Sequence, residues 1–337
     1  MQFRGQPQPL CVVYNTSMSR PDAALALAAL YGYEGKREAR LMAVAVNDAG
    51  LDAAIFCDLV VQFYTSRSGR VPDSNRFLPI GLAAKEPLPA NPAFLKTVIE
   101  RRDEKGELAY PRSIRRVADT SEVAAMLRNS LTGVQDKNGV MILSAPATDL
   151  DRALALPGVR ELVAAKVKTL VVCETSASKD PAALRRVLAA WPTAVVLCGL
   201  GVGEALAYPA ASLEKDFAWA TPHPVVDAYK AFQPMPYDAK TLDLAAVVYA
   251  VHPELGFFDL SEPGTISVAG DGKLELKPAA GGKHRSLTVA AAKSAGLLKT
   301  YVDIASLKAE RRPFNFRPPE AVKPAAPPPP PAATPPK

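Results

Sequence analysis

Oxygen-bearing side chains stand at the ends of several apolar runs in this sequence. They are Asn15, Asp22, Asn47, Asp149 and Glu174, with Asp243 further along in "TLDLAAV". Carboxylate and amide oxygens gathered at one crevice suit a hard cation such as calcium or magnesium, or the hydroxyl groups of a sugar. Taken singly, each is also an ordinary turn residue or helix cap, and capping is the simpler account of Asp22 and Asp149. The chemistry depends on whether the fold brings these positions together.

Other sequence signals of chemistry are weaker. The three histidines lack the spacing of a zinc site. His223 lies between Pro222 and Pro224, where it either braces its loop or projects into a cleft. The four cysteines have no CxxC spacing, which predicts buried free thiols and favours a reducing compartment. "GLGVG" has Glu204 where the dinucleotide fingerprint needs its third glycine, so it predicts a tight βα turn.

Predicted strands and helices alternate along the chain, and these elements must position the candidate residues. Apolar runs such as "LCVVYN", "RLMAVAVN", "GVMILSA", "KTLVVCE" and "TAVVLCG" alternate with helical patterns. Repeated βα units predict a mostly parallel central sheet flanked by helices, with the ligand crevice beyond the carboxyl ends of the strands. Two alternating runs around Gly270-Asp271-Gly272 predict a hairpin, and with it a small C-terminal β-element. The fold class is therefore α/β.

Composition bounds the domain organisation and the partners. The chain has 337 residues and 48% hydrophobic content, enough for one large core. Residues 317–337 are rich in Pro and Ala, which predicts a disordered tail after a domain spanning 1–316. The tail is either a featureless extension or a polyproline ligand for an aromatic groove.

The net charge of +6 comes from scattered basic residues, which argues against nucleic-acid binding. The sequence has no membrane-spanning run and does not open on a signal peptide, so we expect a cytoplasmic protein.

Several segments, in order, resemble the inosine-uridine nucleoside hydrolase family. They are "NTSMSRPDAALAL" for the family's "DTDxGxDDAxAL", "APATDLDRAL" for "GPLTNLARAL", "CETSASKD" for the "EFN" strand end, "AWPTAVVLCGLGVGEALAYP", "MPYDAKTLDLAAVVYAVHPELGFFDLSEPGTISV" and "GGKHRSL". The resemblance runs from about Val12 to Leu287. Its last two segments look like the C-terminal signature of a bacterial branch of the family. It implies a nucleoside-hydrolase-type fold and, as in much of the family, a homo-oligomer.

The resemblance also implies an activity. Family members hydrolyse the N-glycosidic bond of ribonucleosides at a bound calcium ion, which orients the attacking water and the ribose hydroxyls. Carried over position by position, it implies a substrate-binding role for Asn47, Glu174 and Ser176, a metal-binding role for Asp22, Thr148 and Asp243, and a catalytic role for Asn15, Ser17 and Asp22. His223, from its position between two prolines, is a further candidate for substrate binding. The Thr148 contribution is its backbone carbonyl.

The match departs from the family at the centre of its first motif. Asn15 replaces the first aspartate, and Ser17 replaces the aspartate that binds metal and acts as general base. Only Asp22 remains of an Asp-Asp pair. The turn differs in length, so Asp22 matches either member of the pair; counting from "ALAL" makes it the ribose-binding one, with Ala23 at the calcium position. Ser176 stands where the family has a ribose-contacting asparagine.

These departures lead to two hypotheses. Calcium takes 6 to 8 oxygen ligands, several of them carboxylates, so the sequence predicts weak or absent calcium binding. The first hypothesis is a nucleoside hydrolase-like protein whose activity is weak or lost. The alternative is a non-catalytic ligand-binding or scaffolding module that keeps the same fold for a small ligand or for a partner engaged through the polyproline tail.

Overall fold

The structure is a computed structural model that describes residues 8–65, 78–83, 90–174 and 179–308. The predicted tail, 317–337, and Ser176 lie outside these ranges. The strands are β1 (Leu10–Thr16), β2 (Ala39–Val46), β3 (Ile80–Leu82), β4 (Gly139–Ser144), β5 (Val167–Cys173), β6 (Ala194–Cys198), β7 (Phe258–Leu260), β8 (Gly264–Val268), β9 (Leu274–Pro278) and β10 (His284–Val289).

The helices between them follow the predicted alternation. They are α1 (Pro21–Lys36), α2 (Leu51–Thr65), α3 (Ala93–Ile99), α4 (Val123–Thr132), α5 (Thr148–Ala155), α6 (Val159–Lys166), α7 (Pro181–Ala190), α8 (Leu200–Ala205), α9 (Ala210–Lys215), α10 (Pro224–Phe232), α11 (Leu242–Val251) and α12 (Ser294–Ala305). No helix in the described ranges is long and apolar enough to cross a membrane.

All the described strands belong to one ten-stranded sheet, ordered β3-β2-β1-β4-β5-β6-β10-β8-β9, with β7 also paired to β10. The first six strands are parallel, and β10 continues this direction beside β6. The predicted hairpin is β8–β9, with Val268 opposite Leu274 and Gly272 at a φ of 86°. This β-element extends the main sheet rather than forming a separate layer.

Helices cover both faces of the sheet, so the strands read as apolar on both sides. One hydrophobic cluster joins the sheet to α1, α2, α10, α11 and α12. The other joins it to α4, α5, α6 and α7. Successive residues of a strand point to opposite faces, and β1 accordingly sends Val12 and Tyr14 into the first cluster and Val13 into the second.

Helix α1 is the centre of the first face. Pro21 opens it, because a residue at the first helical position needs no amide hydrogen, and Arg37 ends it with a φ of 63°. Every residue from 21 to 33 is buried, since the helix is enclosed by the sheet, α11 and α12. The small side chains of its alanine-rich sequence allow this close packing.

Candidate functional site

A narrow crevice opens at the carboxyl ends of β1 and β4, where the βα repeat predicts a ligand site. Its lining comes from the β1–α1 turn, the end of β4 and the start of α11: Thr16, Ser17, Ser19, Arg20, Asp22, Ala23, Ser144, Leu242 and Asp243. The cavity has a volume of about 20 Å³, enough for one water molecule or one ion. Three of the predicted site residues, Ser17, Asp22 and Asp243, therefore lie together.

Asp243 is held by hydroxyl donors from two strands. The Tyr14 hydroxyl donates to its Oδ2 at 2.5 Å, and the Ser144 hydroxyl donates to its Oδ1 at 2.6 Å. Short hydrogen bonds of this length are typical of a hydroxyl that donates to a carboxylate oxygen. Both oxygens of Asp243 are thus engaged by the protein.

Asp22 reaches from α1 to the first turn of α11. Its Oδ2 accepts the Asp243 backbone N–H at 2.7 Å, and its Oδ1 accepts the Leu244 backbone N–H at 3.4 Å. These amides belong to the first turn of the helix, which has no intrahelical acceptors for them. Asp22 is therefore the cap of a helix more than two hundred residues away in sequence, rather than of its own.

Burial raises the pKa of both carboxyl groups. For Asp22, the neighbouring Asp243 charge adds to the effect of burial, while the backbone hydrogen bonds and Arg20 oppose it. For Asp243, burial is opposed by the hydrogen bonds from Ser144 and Tyr14 and by the Arg20 charge. Two acids in one buried crevice favour the protonated form, and the hydroxyls, amides and guanidinium favour the ionised form.

Ser17 and Asn15 differ in their relation to the crevice. The Ser17 hydroxyl lines it and donates to the Ser19 hydroxyl at 3.0 Å. Asn15 does not line it. The Asn15 amide instead donates to the Ile142 carbonyl at 3.1 Å, and its Oδ1 is buried without a partner among the residues that the structure describes.

Asn47 and Thr148 lie in a second polar cluster at the same edge of the sheet. With its amide oriented to satisfy its neighbours, Asn47 donates to Asp149 Oδ2 at 2.8 Å. The Thr148 hydroxyl donates to Asp180 at 2.7 Å, and Asp180 caps α7. None of these four side chains lines the crevice around Asp22.

Glu174 and His223 have structural partners. Glu174 directly follows β5 and accepts the Leu200 backbone N–H at 3.0 Å. The His223 ring caps α10 through the Val225 N–H at 3.3 Å, and lies 3.3 Å from the Tyr64 hydroxyl. Aromatic rings surround it, namely Phe63, Tyr64, Phe217 and Trp219. Burial lowers its pKa to about 3, so the ring is neutral and braces its loop.

Sequence reasoning missed several residues around the crevice, among them Ser144 and Arg20, which line it, and Tyr14, which donates to Asp243. Tyr14 lies within the apolar run "LCVVYN", and Ser144 is the last residue of "GVMILS". Neither residue belongs to a recognisable sequence motif. Arg20 did carry a signal, because it is the single basic residue of "NTSMSRPDAALAL". It lines the crevice together with the two acids, and its positive charge favours the ionised form of both.

This donor set does not meet the demands of a tight calcium site. Calcium requires 6 to 8 oxygens with several carboxylates. The crevice supplies two carboxylates, both already hydrogen-bonded, next to a guanidinium. Within the described ranges, no group of three or more His, Cys, Asp or Glu side chains could hold a metal ion.

The fold and crevice define a class: an α/β protein with a mostly parallel sheet and a polar site at the carboxyl edge of its strands. No protein-family sequence model matches the chain, and no curated protein sequence is significantly similar to it. Solved structures nevertheless share its fold. One is an inosine-uridine preferring nucleoside hydrolase from Bacillus anthracis, with 14% identity, a TM-score of 0.64 and coverage of 88% of this chain and 99% of that one.

Two further structures extend the comparison. A purine-preferring ribonucleoside hydrolase from Gardnerella vaginalis has 14% identity and a TM-score of 0.64, covering 88% of this chain and 98% of that one. The type III effector protein XopQ, solved with adenosine diphosphate ribose, has 14% identity and a TM-score of 0.58, covering 90% and 95%. The chain therefore has the nucleoside hydrolase fold.

Proposed function

We propose that a ribosyl group binds over this crevice, which itself has room for one water molecule or ion, and that calcium-dependent nucleoside hydrolysis there is weak or lost. One observation carries the proposal: both carboxylates, Asp22 and Asp243, accept hydrogen bonds from the protein's own hydroxyl and amide donors. Two hydrogen-bonded carboxylates supply fewer free oxygens and less charge than calcium requires, while their remaining lone pairs are enough to accept hydrogen bonds from hydroxyl groups. The fold shared with nucleoside hydrolases supports the ligand class.

The residues present can bind a sugar better than they can activate water. Carboxylate oxygens accept hydrogen bonds from ribose hydroxyls, and Asp22 and Asp243 keep further lone pairs for this. Ser17 stands where the resemblance places a general base, and its hydroxyl is bonded to another hydroxyl, that of Ser19. A serine needs an adjacent base before it can take a proton near neutral pH.

Calcium, where it binds, would engage Asp22 and Asp243; Thr148, whose carbonyl the resemblance implies as a third ligand, does not line this crevice. It would supply charge that orients a water molecule and the ribose hydroxyls. We infer that this affinity is millimolar or absent. The remaining binding energy would come from hydroxyl contacts, which a non-catalytic ligand-binding module needs as much as an enzyme does.

The ligand class extends beyond free nucleosides. Two structural neighbours are nucleoside hydrolases, and XopQ was solved with adenosine diphosphate ribose. All of these ligands contain a ribosyl group. We therefore propose a ribosyl compound, either a nucleoside or a nucleotide-like derivative of it, as the ligand.

The test combines calorimetry with restoration of the missing acids. Calcium, and then inosine, uridine and guanosine, are titrated into the metal-stripped full-length chain, and hydrolysis of the three nucleosides is assayed. The double variant Ser17→Asp with Ala23→Asp returns two carboxylates to the first motif, and we expect it to gain both calcium binding and hydrolysis. Ser130→Asp with Thr132→Asp adds the same charge far from the crevice and serves as the matched control.

The outcomes separate the two hypotheses. Micromolar calcium binding and hydrolysis by the unmodified chain would show that the site is a working hydrolase and overturn the proposed loss. A gain by the crevice variant alone would support a ribosyl site that lacks only its acids. If neither variant gains activity and none of the ribosyl compounds binds, the proposed ligand class is wrong.

A further inference from the structure

Arg20 is the cationic residue among those that line the crevice. It directly precedes α1 and is half-buried beside Asp22 and Asp243. Among the hydrogen bonds and ion pairs of the described ranges, none involves its guanidinium. Its charge nevertheless favours the ionised form of both acids, so it lies within electrostatic reach of each. Arg20 therefore acts on the crevice through its charge and not through a fixed contact.

Such a cation bears directly on which ions the crevice accepts. A guanidinium is always protonated in proteins. A divalent ion that entered the cavity would gain attraction to two carboxylates and meet repulsion from Arg20, which also lines the cavity. In a site with a low effective dielectric constant, both effects are much larger than they are in water. The cavity holds only one water-sized particle, so the ion could not move far from the guanidinium.

We propose that Arg20 is the resident cation of this crevice: it balances Asp22 and Asp243 as a metal ion would, and it excludes divalent cations while it is present. This inference rests on the proposed weakness or loss of calcium binding and gives it a second cause. The first cause is the replacement of acidic ligands at Ser17 and Ala23. The second is a positive charge already in place.

The two causes predict different behaviour for an Arg20 variant. If only the missing acids matter, removing the guanidinium changes nothing. If Arg20 excludes cations, Arg20→Gln uncovers a site that the two acids can form without any added carboxylate. Arg20→Lys keeps the charge and should behave like the unmodified protein. Arg40→Gln removes an exposed charge on β2, away from the crevice, and is the matched control.

The experiment titrates terbium(III), a luminescent probe of calcium sites, and then calcium itself, into the four full-length proteins. Tyrosine absorbs the exciting light and transfers energy to a nearby terbium ion. We expect Arg20→Gln to bind terbium about tenfold more tightly, or better, than the unmodified chain. Adding Tyr14→Phe to this variant should reduce the sensitised emission, because Tyr14 donates to Asp243 and is adjacent to the site.

Each result supports or overturns the exclusion of divalent cations by Arg20. Equal binding by Arg20→Gln and the unmodified chain, with both folded by circular dichroism, overturns the inference and leaves the proposed function standing. A gain by Arg20→Lys as large as that by Arg20→Gln also overturns it, because charge is then not the cause. Micromolar calcium binding by the unmodified chain defeats the inference and the proposed calcium loss together. If Arg20→Gln does not fold, Arg20→Ala takes its place.

Discussion

The Asp243 carboxylate shows how individual residues hold the crevice together. Tyr14 on β1 and Ser144 on β4 both donate to it, and all three side chains are buried. A buried carboxylate that loses a donor suffers a desolvation penalty that nothing offsets. The Tyr14 hydroxyl therefore stabilises the buried Asp243 carboxylate directly, through its hydrogen bond.

Replacing Tyr14 with Phe tests this point. The change leaves the packing of the ring intact but removes one of the two hydroxyl donors, so we expect the free energy of unfolding to fall by about 1 to 3 kcal/mol. Urea denaturation measures it. Tyr229→Phe is the control, because the Tyr229 hydroxyl is also buried but has no partner among the described residues. A similar loss in both variants would mean that the Tyr14 hydrogen bond is not the cause.

His252 makes a second residue-level prediction, on pH. Its ring lies between Glu254, at 2.7 Å, and Glu38, at 3.0 Å. Burial lowers the pKa of His252, but the hydrogen bonds to Glu254 and Glu38 outweigh it and leave the pKa raised. A raised pKa means that the folded state binds the proton more tightly, so the stabilisation is complete below the unfolded value of about 6.5 and is lost as pH rises through the folded pKa.

The measurement compares the unmodified chain with His252→Gln between about pH 5.5 and pH 9. We expect the stability advantage of the histidine to be largest at the acidic end and to disappear at the basic end. It should stay below about 1 kcal/mol, because these side chains are partly exposed. His284→Gln is the control of opposite sign, since burial and Lys283 lower the pKa of His284. An advantage of His252 that grows with pH would contradict the prediction.

At the scale of elements, the contact between α1 and α12 depends on Gly32. A methyl group built there would lie 2.1 Å from the backbone oxygen of Ile304. Backbone cannot rotate away as a side chain can, so α12 would have to move. This contact explains why a glycine is retained inside a buried helix, where it has a poor helical propensity.

Gly32→Ala should therefore destabilise the protein by about 2 to 3 kcal/mol or more. The thermal midpoint and the hydrogen exchange of α12 amides would report it. Gly201→Ala, in α8, is the matched control, because a methyl group there meets no atom within 4 Å. It should be neutral or should stabilise by up to about 1 kcal/mol. If both glycines tolerate alanine equally, close approach of the helices is not the reason for Gly32.

The sequence predicted the elements better than it predicted the site. Five apolar runs correspond to β1, β2, β4, β5 and β6, and helices follow them as the alternation predicted. The three-residue strand β3 was not predicted, because its short apolar run has no periodicity. The partners of Asp243 were not predictable either, since a hydroxyl donor on a buried strand has no local signal. Only the β1–β4 pairing brings Tyr14 and Ser144 together.

At the scale of the whole molecule, the fold has a packed core on each face of the sheet. The crevice lies at the carboxyl ends of the central strands β1 and β4 and contributes little buried apolar area. Its acids are already hydrogen-bonded by the protein. The stability of the chain should therefore come from the two cores, with no metal ion required.

Chelation tests this expectation on the full-length chain. A calcium ion held at one hundred times its Kd would add about 2.7 kcal/mol of stability, or roughly 5 °C in Tm for a protein of this size. We expect EGTA to shift the Tm by less than about 1 °C, and millimolar calcium to restore nothing. The Ser17→Asp and Ala23→Asp double variant is the informative comparison, because added acids should make its Tm depend on calcium. A large loss of Tm in the unmodified chain would instead mean that the fold itself is built around a metal ion, and the crevice would have to contain ligands beyond Asp22 and Asp243.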